Sequence, residues 1–255
     1  MIHSTAIVDR NAKIGADVEV GAYSTIGPGV TIADKVRVMS HVVIEGNTSI
    51  GTGSVIYPFA CVGTQTQDLK YAGAKTFVTI GERTTLREYV TVHSSTIEGE
   101  TTKVGNDCSI LAYCHIAHEC KVGNGVIMSN CSQLAGHVIV EDDVGMGGMV
   151  GVHQFVRIGK MAFVGGFTRI AQDVPPFFIV EGNPAAARGL NTVGMKRRNI
   201  DAEVRERLKD CYRMICREEL STSQAIEKIR KDLPPCPEID YLIRFVESSE
   251  RGITR

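Results

Sequence analysis

The sequence predicts a mainly β protein: a parallel β-helix, followed by a small C-terminal α-helical domain. An apolar residue recurs every six positions from Ile2 to Ile170, and 26 of the 29 positions in this series are Ile, Val, Leu or Met. A period of six is neither the period of about 3.6 of an α-helix nor the period of about 2 of a simple strand, and it is typical of hexapeptide-repeat β-helices. Glycine often follows the apolar residue, and small or β-branched residues often precede it by two positions.

Each repeat unit is expected to form a short strand and a tight turn, with its apolar side chain directed inward. Three units would close one triangular coil of about 18 residues, and coils would stack at about 4.8 Å, the spacing of hydrogen-bonded strands. Stacking buries a continuous core that a single coil could not form. The glycines and small residues are expected to let the chain turn at the corners without steric conflict.

Three positions interrupt the six-residue series. Asp68 and Ala74 lie in a polar stretch, and Glu98 lies in a second one. We therefore expect two loops, near residues 64–78 and 94–102, that protrude from a β-helix domain of residues 1–190. Such loops often carry binding groups, although tolerated surface insertions would produce the same interruptions.

The repeat is expected to end near residues 172–176, because Pro175 and Pro176 cannot continue a sheet ladder. A connector then runs through Met195, within a helical domain of residues 191–255. Asp201 is a plausible N-cap of a first helix, and Ser221 or Thr222 could cap a second. A third helix would follow Pro234 and Pro235. Apolar residues recur at helical spacing in these segments: Val204, Leu208, Cys211 and Ile215; Ala225, Ile226 and Ile229; Ile239, Leu242, Ile243 and Val246.

Composition narrows the class of protein. A net charge of −1 gives no reason to expect nucleic acid as a partner. No apolar stretch approaches the roughly 20 residues of a membrane span, and no signal peptide is apparent, so a cytoplasmic location is expected. Of the eight cysteines, Cys108, Cys114 and Cys120 follow one another at the six-residue period, which fits the repeat and no common zinc pattern. We expect reduced, inward-facing cysteines, with a disulfide or metal role as the alternative.

Histidines are the main candidates for chemistry. His118, His137 and His153 follow one another at intervals close to the length of one coil, so the three are expected near one edge of the prism, with His115 on the same coil as His118. Imidazole titrates near neutral pH, so a row of histidines along one edge is well placed for proton transfer. Idle surface histidines would give the same pattern. A metal site is the other alternative, but His115 and His118 lack the five-residue spacing found in β-helix carbonic anhydrases, and no metal is expected.

Several stretches together resemble the UDP-N-acetylglucosamine acyltransferases of lipid A biosynthesis, a family of hexapeptide-repeat transferases. These stretches are residues 67–73, 115–120, 134–138, 152–155, 171–176, 194–198 and 251–252. The likeness covers essentially the whole chain and implies a left-handed β-helix, an exception to the usual right-handed crossover. It also implies a homotrimer with active sites between neighbouring chains.

The reaction implied by the resemblance is the first step of lipid A biosynthesis. An (R)-3-hydroxyacyl group moves from acyl carrier protein to the glucosamine 3-hydroxyl of UDP-N-acetylglucosamine. The resemblance implies no cofactor, because the phosphopantetheine thioester of the carrier is itself the donor substrate.

The resemblance also implies roles for individual residues. His118 would be the general base, the Gly136 N–H would stabilise the oxyanion, and Glu119, where the family usually has aspartate, would orient His118. The implied substrate-binding residues are Asp68, His137 and Gln154 for the sugar, Lys70 for the acyl donor, Asn191, Arg197 and Arg198 for uridine and phosphate, Gly166 as the acyl-chain ruler, and His115 and His153 in supporting roles. Val193 and Pro184 depart from the family pattern, in which an acidic residue and a histidine are usual.

Other functions stay open on the sequence. Some relatives with this pattern acylate a UDP-sugar that bears a 3-amine, so the acceptor atom is not fixed. The related N-acyltransferase of the pathway normally has an additional N-terminal domain, whereas this repeat begins at Ile2. A non-catalytic solenoid scaffold would show no dependence on His118.

Overall fold

The chain forms a left-handed parallel β-helix followed by a C-terminal helical region, as predicted, and this region contains four helices where three were expected. The computed structural model describes all 255 residues. Every third strand belongs to the same face, which gives three sheets of nine, eight and ten strands. The faces meet at three corners, where the chain turns.

The strands, in chain order, are β1 (Ile7–Val8), β2 (Lys13–Ile14), β3 (Glu19–Val20), β4 (Thr25–Ile26), β5 (Thr31–Ile32), β6 (Arg37–Val38), β7 (Val43–Ile44), β8 (Asn47–Ile50), β9 (Val55–Ile56), β10 (Cys61–Thr64), β11 (Phe77–Ile80), β12 (Thr85–Leu86), β13 (Thr91–His93), β14 (Thr101–Val104), β15 (Ser109–Ile110), β16 (His115–Ile116), β17 (Lys121–Val122), β18 (Ile127–Met128), β19 (Gln133–Leu134), β20 (Ile139–Val140), β21 (Gly145–Met146), β22 (Gly151–Val152), β23 (Arg157–Ile158), β24 (Phe163–Val164), β25 (Arg169–Ile170), β26 (Phe178–Glu181) and β27 (Ala186–Leu190). The helices are α1 (Thr192–Arg197), α2 (Ala202–Cys216), α3 (Thr222–Asp232) and α4 (Pro237–Glu247).

The strand register gives the length of a coil and shows where the chain leaves it. Ile7 pairs with Thr25, so a coil without insertions contains three repeat units, as predicted. The interval between paired residues is longer from Cys61 to Thr91 and from Thr91 to His115. The extra residues lie between β10 and β11 and between β13 and β14, and they form two loops on the outside of the solenoid.

The six-residue series fills the core. Nearly all of its apolar side chains are buried, and the exceptions are Ile2, Val8 and Ile14 at the open N-terminal end. Cys108, Cys114 and Cys120 are buried at inward positions, as predicted, and all eight cysteines are free.

The role of the repeat glycines differs from the expectation. The corner positions with positive φ are mostly not glycine; Tyr23, with φ of 60°, and Phe155, with φ of 64°, are two of many examples. Repeat glycines are needed instead where coils stack closely. A Cβ on Gly51 would lie 2.5 Å from the carbonyl carbon of Gly81 on the next coil. These glycines therefore allow close approach of two backbones, and the turn conformation does not require them.

The coil continues past the predicted end of the repeat. β26 pairs in parallel with β24, so one more strand is added after the two prolines. Pro176 lies in the turn before β26, where no ladder hydrogen bond is required. β27 then pairs antiparallel with β26 and completes that face.

Three of the four helices, α2 to α4, are those predicted from the sequence. Asp201 and Ser221 are the N-cap residues of α2 and α3; Ser221 forms a capping box with Gln224, whereas the Asp201 side chain makes no cap hydrogen bond. The short helix α1 was not predicted and lies in the segment expected to be a connector. Asn191 caps it by accepting a hydrogen bond from the Gly194 N–H.

The helices are joined to the last coils by specific contacts. Arg157 Nη2 donates to the Phe245 carbonyl oxygen at 2.9 Å, and Arg157 Nε lies 3.5 Å from Asp173 Oδ2. The chain end returns to the same place, since the Thr254 N–H donates to the Asp173 carbonyl oxygen at 2.8 Å. None of the four helices combines the length and hydrophobicity needed to cross a membrane.

Candidate active site

A cavity of about 570 Å³ opens where the first loop lies over one corner of the prism. Its walls come from that loop and from successive coils of the β-helix. Six of the lining residues were predicted from the sequence: Asp68, Lys70, His115, His118, His137 and Gln154. The other lining residues are Gln67, Leu69, His93, Ala117 and Phe155.

The corner beside this cavity is formed by Glu119, His137 and Phe155, which occupy the same position on successive coils and all have positive φ. The rings of His137 and Phe155 stack with centroids 4.5 Å apart. His118 precedes the corner by one residue, and its ring meets that of His137 edge to face at 5.3 Å.

His153 lies away from this corner, although it was expected on the same edge as His118. It lines a neighbouring cavity of about 410 Å³ together with His115 and Arg169. His153 Nδ1 lies 3.3 Å from Arg251 Nη2, near the chain end. The structure thus brings His118 and His137 together and places His153 on the adjoining face.

His118 and Glu119 form a hydrogen-bonded pair between His118 Nδ1 and Glu119 Oε2. A carboxylate can only accept, so Nδ1 carries the proton and Nε2 of the neutral ring has a free lone pair. His118 Nε2 lies 4.0 Å from Asp68 Oδ2. The ring is therefore in the tautomer that a general base needs, with its basic nitrogen on the side of Asp68.

Glu119 is 6% exposed and its carboxylate is satisfied from both sides. Oε1 accepts from the Thr96 N–H at 2.5 Å and from the Ile97 N–H at 3.1 Å. Oε2 contacts His118 and lies 3.5 Å from His137 Nε2. The Glu119 N–H donates to Thr102 Oγ1 at 3.0 Å. A buried charged group needs such partners, and the second loop supplies two of them, the Thr96 and Ile97 N–H groups.

Gly136 lies against the His118 ring. A Cβ at this position would lie 2.9 Å from His118 Nδ1 and closer still to Nε2 and Cε1, so any side chain would displace the imidazole. The Gly136 carbonyl accepts from the Phe155 N–H at 3.1 Å, while the Gly136 N–H has no acceptor within the chain. Because Gly136 lies against the His118 ring, its free N–H is available to an oxyanion.

The ionisable groups of the cavity are in distinct charge states. The Asp68 carboxylate accepts from the Lys70 N–H at 3.0 Å, and this bond, aided by the nearby His118 and Lys70, lowers the pKa of Asp68. Burial lowers the pKa of His115 to about 4 and also lowers the pKa of His93. Asp68 is therefore anionic and these two histidines are neutral at neutral pH.

His118, Glu119 and His137 also form a possible metal-ligand group, since one potential ligand atom of each lies within 4.8 Å of the others. Two ligands of a tetrahedral zinc ion lie roughly 3.3 Å apart, given zinc–nitrogen and zinc–oxygen bonds of about 2 Å. Glu119 Oε2 and His118 Nδ1 are instead at hydrogen-bond contact. The side chains are thus arranged as a hydrogen-bonded pair and would have to separate to hold an ion.

The residues predicted to bind the nucleotide lie at another corner. The Asn191 side chain donates to the Met161 carbonyl oxygen at 2.9 Å, and Arg198 pairs with Asp143. Arg197 is the last residue of α1. Strand β20 separates the Asp143 corner from the His137 corner, so one chain does not bring these residues to His118.

Gly166 is also remote from His118. A Cβ on Gly166 would lie 3.3 Å from the Gly148 carbonyl oxygen, at the corner that carries Met149 and Phe167. Val193, one of the departures from the family pattern, is 60% exposed on α1.

The structure adds residues that the sequence did not single out: His93, Thr96, Thr102 and Phe155. Phe155 had a usable signal, because it follows His137 by one full coil. His93 and Thr96 had none, because the path of a loop decides what its residues contact.

Two family models match the chain. One, described as "Udp N-acetylglucosamine O-acyltransferase; Domain 2", matches residues 173–254, and the other, "Bacterial transferase hexapeptide (six repeats)", matches residues 1–34 and 101–136.

Several known proteins are similar to this chain over its whole length. A curated acyl-[acyl-carrier-protein]–UDP-N-acetylglucosamine O-acyltransferase from Thermodesulfovibrio yellowstonii is 47% identical over 255 residues, covering 100% of this chain and 99% of that protein. The crystal structure of LpxA, a UDP-N-acetylglucosamine acyltransferase from Bacteroides fragilis, matches with a TM-score of 0.98 and 36% identity over 100% of both chains. The structure of LpxA from Acinetobacter baumannii matches with a TM-score of 0.96 and 42% identity, covering 100% of this chain and 99% of that chain.

Proposed function

The chain belongs to the family of acyl-[acyl-carrier-protein]–UDP-N-acetylglucosamine O-acyltransferases, and we propose that His118 is the general base of its acyl transfer. The chain transfers an (R)-3-hydroxyacyl group from acyl carrier protein to the 3-hydroxyl of UDP-N-acetylglucosamine, which opens lipid A synthesis. The observation that carries the role of His118 is its place in the cavity, with Nδ1 bonded to a buried carboxylate and Nε2 free.

Two groups of the site, His118 and the Gly136 N–H, act directly in the proposed step. His118 Nε2 takes the proton of the sugar 3-hydroxyl as that oxygen attacks the thioester carbonyl carbon. The carbonyl oxygen becomes an oxyanion, to which the Gly136 N–H donates a hydrogen bond. When the carbon–sulfur bond breaks, the imidazolium returns its proton to the departing thiolate. The products are the 3-O-acyl sugar nucleotide and the free thiol of the carrier.

Glu119 supports both stages of this step. Its carboxylate keeps the proton on Nδ1 in the resting state and stabilises the imidazolium that forms during attack. The thioester is already an activated donor, so the step as written needs no cofactor and no metal.

Substrate-binding roles follow from the walls of the cavity. Asp68 is anionic and accepts hydrogen bonds from sugar hydroxyls, with His137 and Gln154 on the opposite wall. Lys70 also lines this cavity, and its ammonium group is assigned to the acyl donor. His115 and His153 line the adjoining face, along which the donor arm passes.

We propose a homotrimer in which each site lies between two chains. Support comes from the separation between the His137 corner and the Asp143 corner, which bears Arg198. A threefold arrangement brings the second corner of one chain to the first corner of its neighbour, and it closes because each chain uses both surfaces once. Asn191, Arg197 and Arg198 then hold the uridine and diphosphate, and Gly166 bounds the acyl chain.

We place the reaction in the cytoplasm, where the eight free thiols would stay reduced.

Substitution of His118 tests the proposed base. We expect His118→Ala to lower kcat by about 10²- to 10⁴-fold, the usual contribution of a general base, with the fold intact. His41→Ala, which changes an exposed histidine on a different corner, is the control and should keep wild-type turnover. The assay is acyl transfer from a 3-hydroxyacyl carrier protein to UDP-N-acetylglucosamine. Near-normal turnover by folded His118→Ala would remove the base assignment.

A further inference from the structure

We propose that Thr96 is a positioning residue that links the two loops of the site and fixes Glu119 and Asp68 on opposite sides of His118. The inference rests on the proposed function, because it concerns how the general base is held. Thr96 does not reach the reacting atoms; it acts through the two carboxylates.

The backbone of Thr96 holds the first carboxylate. Its N–H donates to Glu119 Oε1, next to the bond from the Ile97 N–H. The end of the same loop is fixed as well, since Thr102 Oγ1 lies 3.2 Å from Ser95 Oγ and accepts from the Glu119 N–H. The position of the second loop therefore decides where the Glu119 carboxylate lies.

The side chain of Thr96 reaches the other loop. Its Oγ1 lies 3.3 Å from Thr66 Oγ1, and Thr66 is 4% exposed. Thr66 Oγ1 accepts from the Asp68 N–H at 3.1 Å, which leaves the Thr66 proton free to be donated to Thr96. The backbone N–H of Asp68 is thus connected to the Glu119 carboxylate through two hydroxyl groups and the Thr96 N–H.

This connection matters because His118 lies between its two ends. Glu119 contacts Nδ1, and Asp68 Oδ2 lies 4.0 Å from Nε2. A sugar hydroxyl held by Asp68 must meet Nε2 at hydrogen-bond distance. A small shift between the loops would therefore misplace the acceptor oxygen and lower turnover.

Removal of the hydroxyl tests the link without disturbing the N–H. We expect Thr96→Val to lower kcat about tenfold, and Thr66→Val to have the same effect through the other end of the bond. Thr96→Ser keeps the hydroxyl and should restore most of the activity. Thr101→Val is the matched control, since Thr101 begins β14 in the same segment and its hydroxyl makes no hydrogen bond in the chain. Wild-type kcat in both Thr96→Val and Thr66→Val would overturn the proposal.

A double-mutant cycle separates positioning from a general structural effect. If Thr96 acts through Glu119, Thr96→Val should cause little further loss in a Glu119→Gln background, because the pair shares one pathway. An additional tenfold loss in that background would contradict the proposal.

Proton NMR tests the link even without turnover. The His118 Nδ1 proton should give a downfield resonance that disappears in His118→Gln, shifts or broadens in Thr96→Val, and stays in place in Thr101→Val. If the wild-type chain transferred no acyl group but showed this pattern, the proposed function would fail and the positioning role would stand. A resonance unchanged by Thr96→Val would exclude the positioning role.

Discussion

The imidazole of His118 lies between two carboxylates that differ in burial and in partners. Glu119 is buried and held by backbone N–H groups, whereas the Asp68 side chain is 22% exposed and faces the cavity. The first can orient the ring and the second can hold a hydroxyl group of the substrate. The proposed chemistry requires both roles, and the different burial and partners of Glu119 and Asp68 provide them.

Gly136→Ala tests how closely the ring is held. The added methyl group would overlap the imidazole of His118, so the ring must move away from its position. We expect kcat to fall about 100-fold while the melting temperature changes little, because the ring can swing into the open cavity. Gly189→Ala, where a Cβ meets no atom within 4 Å, is the control and should keep wild-type activity. Full activity in Gly136→Ala would show that the ring position is not critical.

His115 predicts a dependence of stability on pH. Its pKa is lowered from 6.5 to about 4, chiefly by burial. Below pH 6.5 the unfolded chain binds a proton that the folded chain does not, so stability falls as the pH drops from about 6.5 to about 4. The free energy of unfolding should therefore fall less on acidification in His115→Gln than in the wild type. We expect the difference to be about 2 kcal/mol, after allowance for solvent screening.

The measurement for His115 is the free energy of unfolding of both chains at pH 7 and at pH 4.5. His3→Gln changes an exposed histidine and serves as the control. Equal pH dependence in wild type and His115→Gln would contradict the assignment.

The strands of the solenoid were predictable from the sequence because each one repeats the same environment. One apolar side chain in every repeat unit points into the core, and this holds for nearly the whole series. The positions of the two loops could be predicted from the sequence, but the contacts that their residues make could not. Residues such as Thr96 and Ile97 act through backbone N–H groups, which carry no sequence signal. Helix α1 was missed because it is short and contains a glycine and no clear apolar stripe.

Gly51→Ala tests why glycine recurs in the coils. If close stacking is the reason, the added methyl group meets the Gly81 backbone and the chain loses about 2 kcal/mol of stability. Gly151→Ala changes a glycine of strand β22, just before the series residue Val152, where a Cβ would meet nothing within 4 Å, and it should be neutral. Denaturant unfolding of the two variants gives the comparison, and equal stability would mean that Gly51 has another role.

At the scale of the whole molecule, the structure of one chain separates residues that the proposed reaction must bring together. The His118 cavity and Arg198 lie at different corners of the prism. The six-residue pattern of one chain could not show this separation, because the two sets are remote in sequence, and they become neighbours only in the proposed trimer. The corner positions do follow from the sequence, by counting one coil from Glu119 to His137 and another on to Phe155.

Mixed trimers test the shared site. His118→Ala and Arg198→Ala chains should each be weakly active alone. Co-expressed in equal amounts, they should recover about a quarter of wild-type activity, since about one interface in four would then join an intact His118 to an intact Arg198. Sedimentation and native mass spectrometry would verify the mixed trimer. Verified mixed trimers without recovery would place the whole site within one chain.

The most direct test of the account offers the chain UDP-N-acetylglucosamine and its 3-amino analogue together, with a panel of 3-hydroxyacyl carrier proteins. Mass spectrometry of the sugar nucleotides then identifies the product. The account predicts an ester on the 3-oxygen of UDP-N-acetylglucosamine, and its formation should slow about 10²- to 10⁴-fold when His118 is replaced by alanine. Formation of the amide alone, or of no acylated product by the folded protein, would contradict it.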